Sequence, residues 1–431
     1  MMLLRSVRGG IRGLKLGAIV TIVAACAGLG AMAQPAAAQG RMGMGPGQGF
    51  NNSAITSREL EKWFDMLAMN ADQKDAAKAL HQAYLDEHGQ QTKKLQEVMK
   101  NAQQEFMESQ DTSAFKEVAD KTTKLSEQMS GTEKQFLEDV KALLDGKQGE
   151  QWPRVDRHHR RVKSLPGGML SGENANLVAV VEDLKLSPRP QELQDAIDQY
   201  EMDLDKALTE RDGKRKEMEK QQQEMMKDFD PSKMDFTKIR QMMADARKSG
   251  LPVRDINQRH ARLIAGAVPA DKKSDFEDRT RKALYPQVYR EPYAAKVITT
   301  ALAFDDATAD QKTQIEAVRD SHKRDMTAAN DKWVAAISDE EKDGGGDPFM
   351  GFGKFVPGGS DEKNPTDDAK KARRELDKAA VEKVKAILTD EQKARLPERE
   401  NDNPWMMNMG GGGDEDADEK PAKPAKPEKK K

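Results

Sequence analysis

The chain has 431 residues, 34% of them charged and 36% hydrophobic, with 71 Lys+Arg against 74 Asp+Glu and a mean hydropathy of −0.85. So small an apolar fraction is poor material for one large core and suits long helices that each bury a narrow stripe. No apolar run of about 20 residues occurs beyond residue 40, which excludes a polytopic membrane protein, and a net charge of −3 argues against a dedicated nucleic-acid binder.

In chain order, residues 1–38 read as an export signal. Arg5, Arg8, Arg12 and Lys15 form a positive start, an apolar stretch from Leu16 to Leu29 follows, and Ala31-Met32-Ala33 and Ala36-Ala37-Ala38 supply small-residue cleavage sites. Their removal leaves 67 basic and 74 acidic residues, a net charge of −7. Cys26 is the only cysteine and lies inside the signal, so the cleaved chain has neither thiol nor disulfide. Val23-Ala24-Ala25-Cys26 also resembles a bacterial lipobox, which leaves lipidation and membrane anchoring at Cys26 open beside plain secretion. Both routes lead to an extracytoplasmic location, without ready ATP.

Residues 39–57 form a Gly- and Met-rich linker, and three similar units follow: 58–164, 172–290 and 291–400. In the first, Ala77, Leu80, Tyr84, His88, Gln91, Leu95, Val98 and Ala102 recur at steps of three and four. Phe115, Val118, Thr122, Leu125, Met129, Thr132, Phe136, Val140 and Leu143 repeat the pattern on a second segment. Two such seams predict an antiparallel pair of long helices. The turn formers Asp111-Thr112-Ser113 separate them in unit 1 and Asp230-Pro231-Ser232 in unit 2. The third unit runs Ile315, Val318, His322, Met326, Ala329, Trp333 and Ala336, then breaks at the Gly- and Phe-rich stretch from Gly344 to Pro365. The expected fold is therefore all-α: three tandem units of long antiparallel helical hairpins, elongated or curved. Residues 401–431, Gly-rich and then acidic and Lys/Pro-rich, have the composition of a disordered tail.

Each unit opens and closes with a short box. Asn70 with Gln73, Ser187 with Gln191, and Thr308 with Gln311 stand at the openings, and the glutamines are 118 and 120 positions apart. Asp145 with Gln148 and Thr389 with Gln392 stand at the closings of units 1 and 3. Unit 2 keeps a worn closing box at Ala267 to Lys272. A short polar residue followed three places later by Gln is a capping box: the first side chain accepts from an orphan amide, and the Gln accepts from the cap's own amide. The boxes are therefore expected to start helices rather than to do chemistry.

The paired boxes Ala309-Asp310-Gln311-Lys312 and Leu388-Thr389-Asp390-Glu391-Gln392 resemble the two LTxxQ motifs of the Spy/CpxP family. The resemblance covers about residues 58–400, taken three times. It implies an exported, all-helical envelope-stress protein whose concave face holds unfolded clients without ATP. The lost Thr and Gln in the closing box of unit 2 depart from the pattern, and triplication could take the place of the family's dimerisation.

The expected function is thus an exported, ATP-independent chaperone-like or stress protein that binds unfolded or envelope polypeptides, with self-association open. A scaffold lipoprotein and a copper or zinc sensor or sequestering protein are the alternatives. No nucleophile elbow, HExxH, P-loop or Rossmann pattern occurs, so neither an enzyme nor a cofactor is expected. Asp228 to Ile239 starts like a calcium loop, but Lys233 stands where Gly is required and Ile239 where the bidentate Glu belongs. Met42, Met44, Met406, Met407 and Met409 could serve Cu(I), although linker composition accounts for them, and Met225, Met226, Met242 and Met243 suit an adaptable apolar surface. His81 and His88 could share one helix face, while His158-His159, inside the basic run Arg154 to Lys163, reads as a solvated helix end.

Overall fold

The computed structural model describes residues 53–109, 113–227, 236–342 and 365–398. The expected signal with Cys26, most of the expected linker, most of the expected inter-helix turns, the expected tail and the side chains of Phe115, Met225 and Met226 lie outside the described residues. Helix makes up 82% of what is described, and no strand occurs among those residues.

Each repeat has the same plan: a short helix, two long ones, and a closing helix. In repeat 1 these are α1 (Ser57–Met66), α2 (Ala71–Ser109), α3 (Ser113–Ala142) and α4 (Gly146–Ser164). A 3₁₀ turn, Leu165–Gly167, leads to repeat 2: α5 (Leu177–Glu182), α6 (Gln191–Lys227), a second arm split into α7 (Phe236–Ser249) and α8 (Leu251–Ala267), and α9 (Ala270–Leu284). Repeat 3 has α10 (Tyr293–Leu302), α11 (Ala309–Glu340), α12 (Pro365–Ile387) and α13 (Asp390–Lys393). The long pairs pack as expected, α2 on α3, α6 on α7 and α8, and α11 on α12. The short leading helices were not expected. They are brief and lack a long period, yet they supply much of each core.

The repeats do not form three separate bodies. Among the described residues, those within 53–289 together with 341–342 make one compact unit, and 290–340 with 365–398 a second. Repeats 1 and 2 share the first because α4 and α3 both pack on α6. The basic run on α4 is the reason: Arg160 donates to Asp205 at 2.5 Å, and buried Arg161 donates to Glu201 at 2.6 Å.

The core of repeat 1 sits at the base of its hairpin. Leu60, Trp63, Phe64 and Leu67 of the α1 segment pack with Ala77, Tyr84, Phe136, Val140, Trp152 and Val155. Beyond that base the arm is two helices thick, and the seam continues through Gln91, Leu95, Ala102, Val118, Thr122 and Met129, all buried. Gln91 donates to the Thr132 hydroxyl at 2.9 Å and its Oε1 has no partner. Polar residues thus interrupt the seam where the sequence placed them. The third repeat centres on Val297, Ile298, Ile315, Val381, Val384 and Leu388.

After α1 and after α5 the chain turns through non-glycine residues with positive φ, Ala68 at 48° and Lys185 at 51°. An L side chain is strained there by about 1 kcal/mol or more. Ala68→Gly should therefore raise stability by up to about 1 kcal/mol, less the entropy glycine adds to the unfolded chain. Urea denaturation of the variant beside the parent checks this.

Candidate functional site

The boxes do more than cap. In repeat 1 the Asn70 side chain accepts from the Gln73 amide and Gln73 Oε1 accepts from the Asn70 amide, both at 3.0 Å. Asp145 and Gln148 do the same at 2.9 and 3.0 Å. The spare amide nitrogens then bind across the hairpin base. Gln73 Nε2 donates to Gln148 Oε1 at 2.7 Å and to the Leu143 carbonyl at 2.8 Å, while Gln148 Nε2 donates to Gln73 Oε1 at 3.0 Å. Two capping boxes become one reciprocal bolt between the starts of α2 and α4.

Repeat 3 reproduces the arrangement. Thr308 and Gln311 cap α11, and Thr389 and Gln392 cap α13. Gln311 Nε2 donates to Gln392 Oε1 at 3.0 Å and to the Ile387 carbonyl at 2.9 Å. Repeat 2 does not. Ser187 and Gln191 form no box: four positions separate them instead of three, α6 begins only at Gln191, and the preceding Pro190 has no N–H to offer it. Gln191 instead donates forward to Asp195 at 2.8 Å, and Pro269 starts α9 without a side-chain cap.

The bolt separates by mutation from the cap. Glutamate serves a capping box as well as glutamine, but it has no N–H to send across. Gln73→Glu should therefore cost about 1–2 kcal/mol while α2 keeps its cap, an outcome read by denaturation of the variant against Gln148→Glu and the double variant.

The adjacent histidines of α4 are not a solvated end. His158 is 5% exposed and receives the Trp63 indole N–H at 3.3 Å. His159 lies between two carboxylates, with Nδ1 2.7 Å from Glu59 and Nε2 3.3 Å from Glu133, and Lys163 also pairs with Glu133. A run of Arg and His in sequence suggests an exposed face. The acidic partners come from α1 and α3, 100 and 26 residues away. Burial, helped by Arg161, Lys62 and His159, pushes His158 down to about 3. Burial would lower His159 too, but its bonds to Glu133 and Glu59 outweigh that and carry it up to about 9. Glu133 is likewise opposed by burial, yet His159 and Lys163 hold it down at about 2.

The consequences for stability have opposite signs. The contribution of His159 is complete below its ordinary 6.5 and fades as pH rises through about 9. His158 is stable only as the neutral ring, so it withdraws stability as pH falls from 6.5 towards 3. Glu133 contributes above its ordinary 4.5 and loses that contribution as pH falls through about 2.

The remaining histidines are all buried. His81 and His88 do lie along one face of α2, but both are buried: His81 donates to the Ile55 carbonyl at 2.7 Å, and the His88 ring tilts against Tyr84. His260 pairs with Asp203 at 2.8 Å, and His322 approaches Asp377 at 3.5 Å. Because each ring nitrogen of His159 faces a different carboxylate, the group does not converge on a common point. Among the described residues no three His, Cys, Asp or Glu side chains form a metal-holding group.

Another buried constellation had no sequence signal. Glu173, in the loop before α5, is wholly buried beside Arg211 of α6; they bond at 2.6 Å, and Arg215 adds a contact at 3.2 Å. Glu173 also accepts the amides of Met169 and Leu170 at 2.7 and 3.1 Å, and Arg211 donates to the Ser164 carbonyl at 2.5 Å. Nearby, the Tyr200 hydroxyl donates to Asn257 at 2.9 Å, and the Asn257 amide donates to the Gly172 carbonyl at 2.8 Å.

Among the described residues, the exposed large apolar side chains lie on four different helices. Met107, Val162, Met202 and Leu263 are exposed, on α2, α4, α6 and α8 in turn. Met242 and Met243 on α7 are half-buried. A shallow, open groove of about 370 Å³ runs between α6 and α8, lined by Ala196, Gln199, His260, Leu263 and Ala267 among others. No helix among the described residues is long and apolar enough to cross a membrane. Comparison of the chain with family models, with curated proteins and with solved structures returns no match.

Proposed function

We propose that the chain is an exported, ATP-independent binder of unfolded or partially folded polypeptides, of the Spy/CpxP type that its boxes resemble. One observation carries this reading most directly. The long hairpin of repeat 1 extends well past its core as an arm two helices thick, with a seam broken by Gln91 and Thr122 and a largely exposed Met107 near the end of α2. Such an arm offers shallow contacts along its length, and methionine adapts to many partner sequences. Dense charge alongside keeps the arm in solution and attracts charged segments of a client. The export signal and the absence of cysteine after it fit work outside the cytoplasm.

Cys26 behind Val23-Ala24-Ala25 supports a second reading, a lipid-anchored envelope scaffold. The two separate in one assay. The full chain without its signal should suppress aggregation of an unrelated unfolding protein, with no ATP and without dependence on Cu(I) or Zn(II). Failure to suppress favours the scaffold, and suppression that needs metal favours a metal-responsive protein.

A further inference from the structure

Helix α1 is fastened to α4 by two adjacent histidines whose hydrogen bonds demand opposite protonation states. An indole N–H only donates, so His158, which receives it from Trp63 on Nδ1, must present a lone pair there and be neutral. Ionised carboxylates only accept, so His159, bonded through Nδ1 to Glu59 and through Nε2 to Glu133, must carry a proton on both nitrogens. Neither ring has water to replace a lost partner, since His158 is 5% exposed and the His159 side chain 12%.

We propose that α1 is a pH-gated lid, held shut only while His158 is neutral and His159 is charged, and that it lifts on either side of this window to bare the apolar face of Leu60, Trp63, Phe64 and Leu67. That face is at present almost wholly covered, with no member of the four more than 3% exposed.

The titratable groups facing the two rings come from α1, α2, α3 and α4 itself. On α1, Glu59 bonds His159, and Lys62 is held by Glu182 of α5 at 2.6 Å. From α2 the Tyr84 hydroxyl, pushed well above its ordinary value by burial, accepts the Ile55 amide and stays neutral across the window; His81 beside it is occupied by the Ile55 carbonyl. From α3 comes Glu133. On α4 itself, Lys163 pairs with Glu133, Arg161 is engaged by Glu201, and burial raises the Asp156 carboxyl. In the alkaline limb His159 is thus the group that changes charge inside the clamp. In the acid limb Asp156, raised by burial, gains its proton ahead of the clamp, and within the clamp His158 changes before Glu133. The shifts of the two rings place the strongest closure close to neutrality.

The test is hydrogen exchange of the full chain without its signal, from pH 4 to pH 9.5, with each rate divided by its intrinsic value. Protection of residues 57–66 should peak near pH 6.5 and fall by more than about tenfold at both ends, while the first half of α6 keeps its protection. His158→Asn keeps an acceptor at the Nδ1 position but cannot gain a proton, so the acid limb should shrink and the alkaline limb remain. His159→Gln cannot lose a proton, and the alkaline limb should vanish. Protection of 57–66 that is flat with pH, that falls only together with α6, or that keeps both limbs in both variants would overturn the proposal.

Discussion

Arg211→Met should destabilise the unit that holds repeats 1 and 2 by about 3 kcal/mol or more, the penalty for leaving a buried carboxylate without its main partner. Glu173 has no exposed side-chain surface, so water cannot replace the guanidinium. The space around it is closed as well: a Cβ on Gly250 would collide with the Glu173 carboxylate. Arg215, with a fifth of its side chain exposed, supplies a weaker contact and keeps the loss from being larger. Adding Glu173→Gln to Arg211→Met should recover most of the loss, because the double variant removes the wholly buried, unpaired carboxylate and still offers an acceptor to Met169 and Leu170. Urea denaturation, read by hydrogen exchange along α6, gives both numbers. An Arg211→Met variant as stable as the parent would show that the pair is solvated in solution.

Trp63→Ala should cost a comparable amount, about 3–5 kcal/mol, as expected for deleting a wholly buried aromatic side chain. Trp63 has no exposed surface and meets Phe136, Trp152 and His159 with ring centroids 5.8–6.4 Å apart. Trp63→Phe keeps a six-membered ring but removes the pyrrole part with the N–H that His158 accepts, so its loss combines that hydrogen bond, about 1 kcal/mol or somewhat more, with a smaller packing defect than alanine leaves. Melting both variants at pH 6.5 distinguishes packing from hydrogen bonding: equal losses would mean that the indole ring is not what α1 contributes.

Much of this fold follows from local pattern. The seam from Ala77 to Ala102 has period near 3.6 over seven turns, and its members are buried or half-buried in α2. Four of the five boxes cap helices because a cap needs only residues three apart. The fifth, Ser187 with Gln191, is spaced by four, and α6 starts at Gln191 itself behind Pro190, so the glutamine has no cap N–H to accept. What the boxes do with their second amide donor could not be read locally, since Gln73 and Gln148 meet only after the hairpin closes. The helices α1, α5 and α10 span 10, 6 and 10 residues, too few turns for a periodic signal. The His158-His159 pair was misjudged for a similar reason. Its charge looks unbalanced in the sequence of α4 and is balanced by Glu59 and Glu133 only in three dimensions.

The proposed function requires weak, sequence-tolerant binding along charged helical arms. The direct measurement is a titration of the full chain without its signal against a permanently unfolded model protein, at low and at high salt and without nucleotide. Saturable binding on the order of micromolar, weaker as salt screens the exposed charge, is the predicted result. No binding at low salt, beside tight stoichiometric capture of copper or zinc by the same preparation, would contradict it.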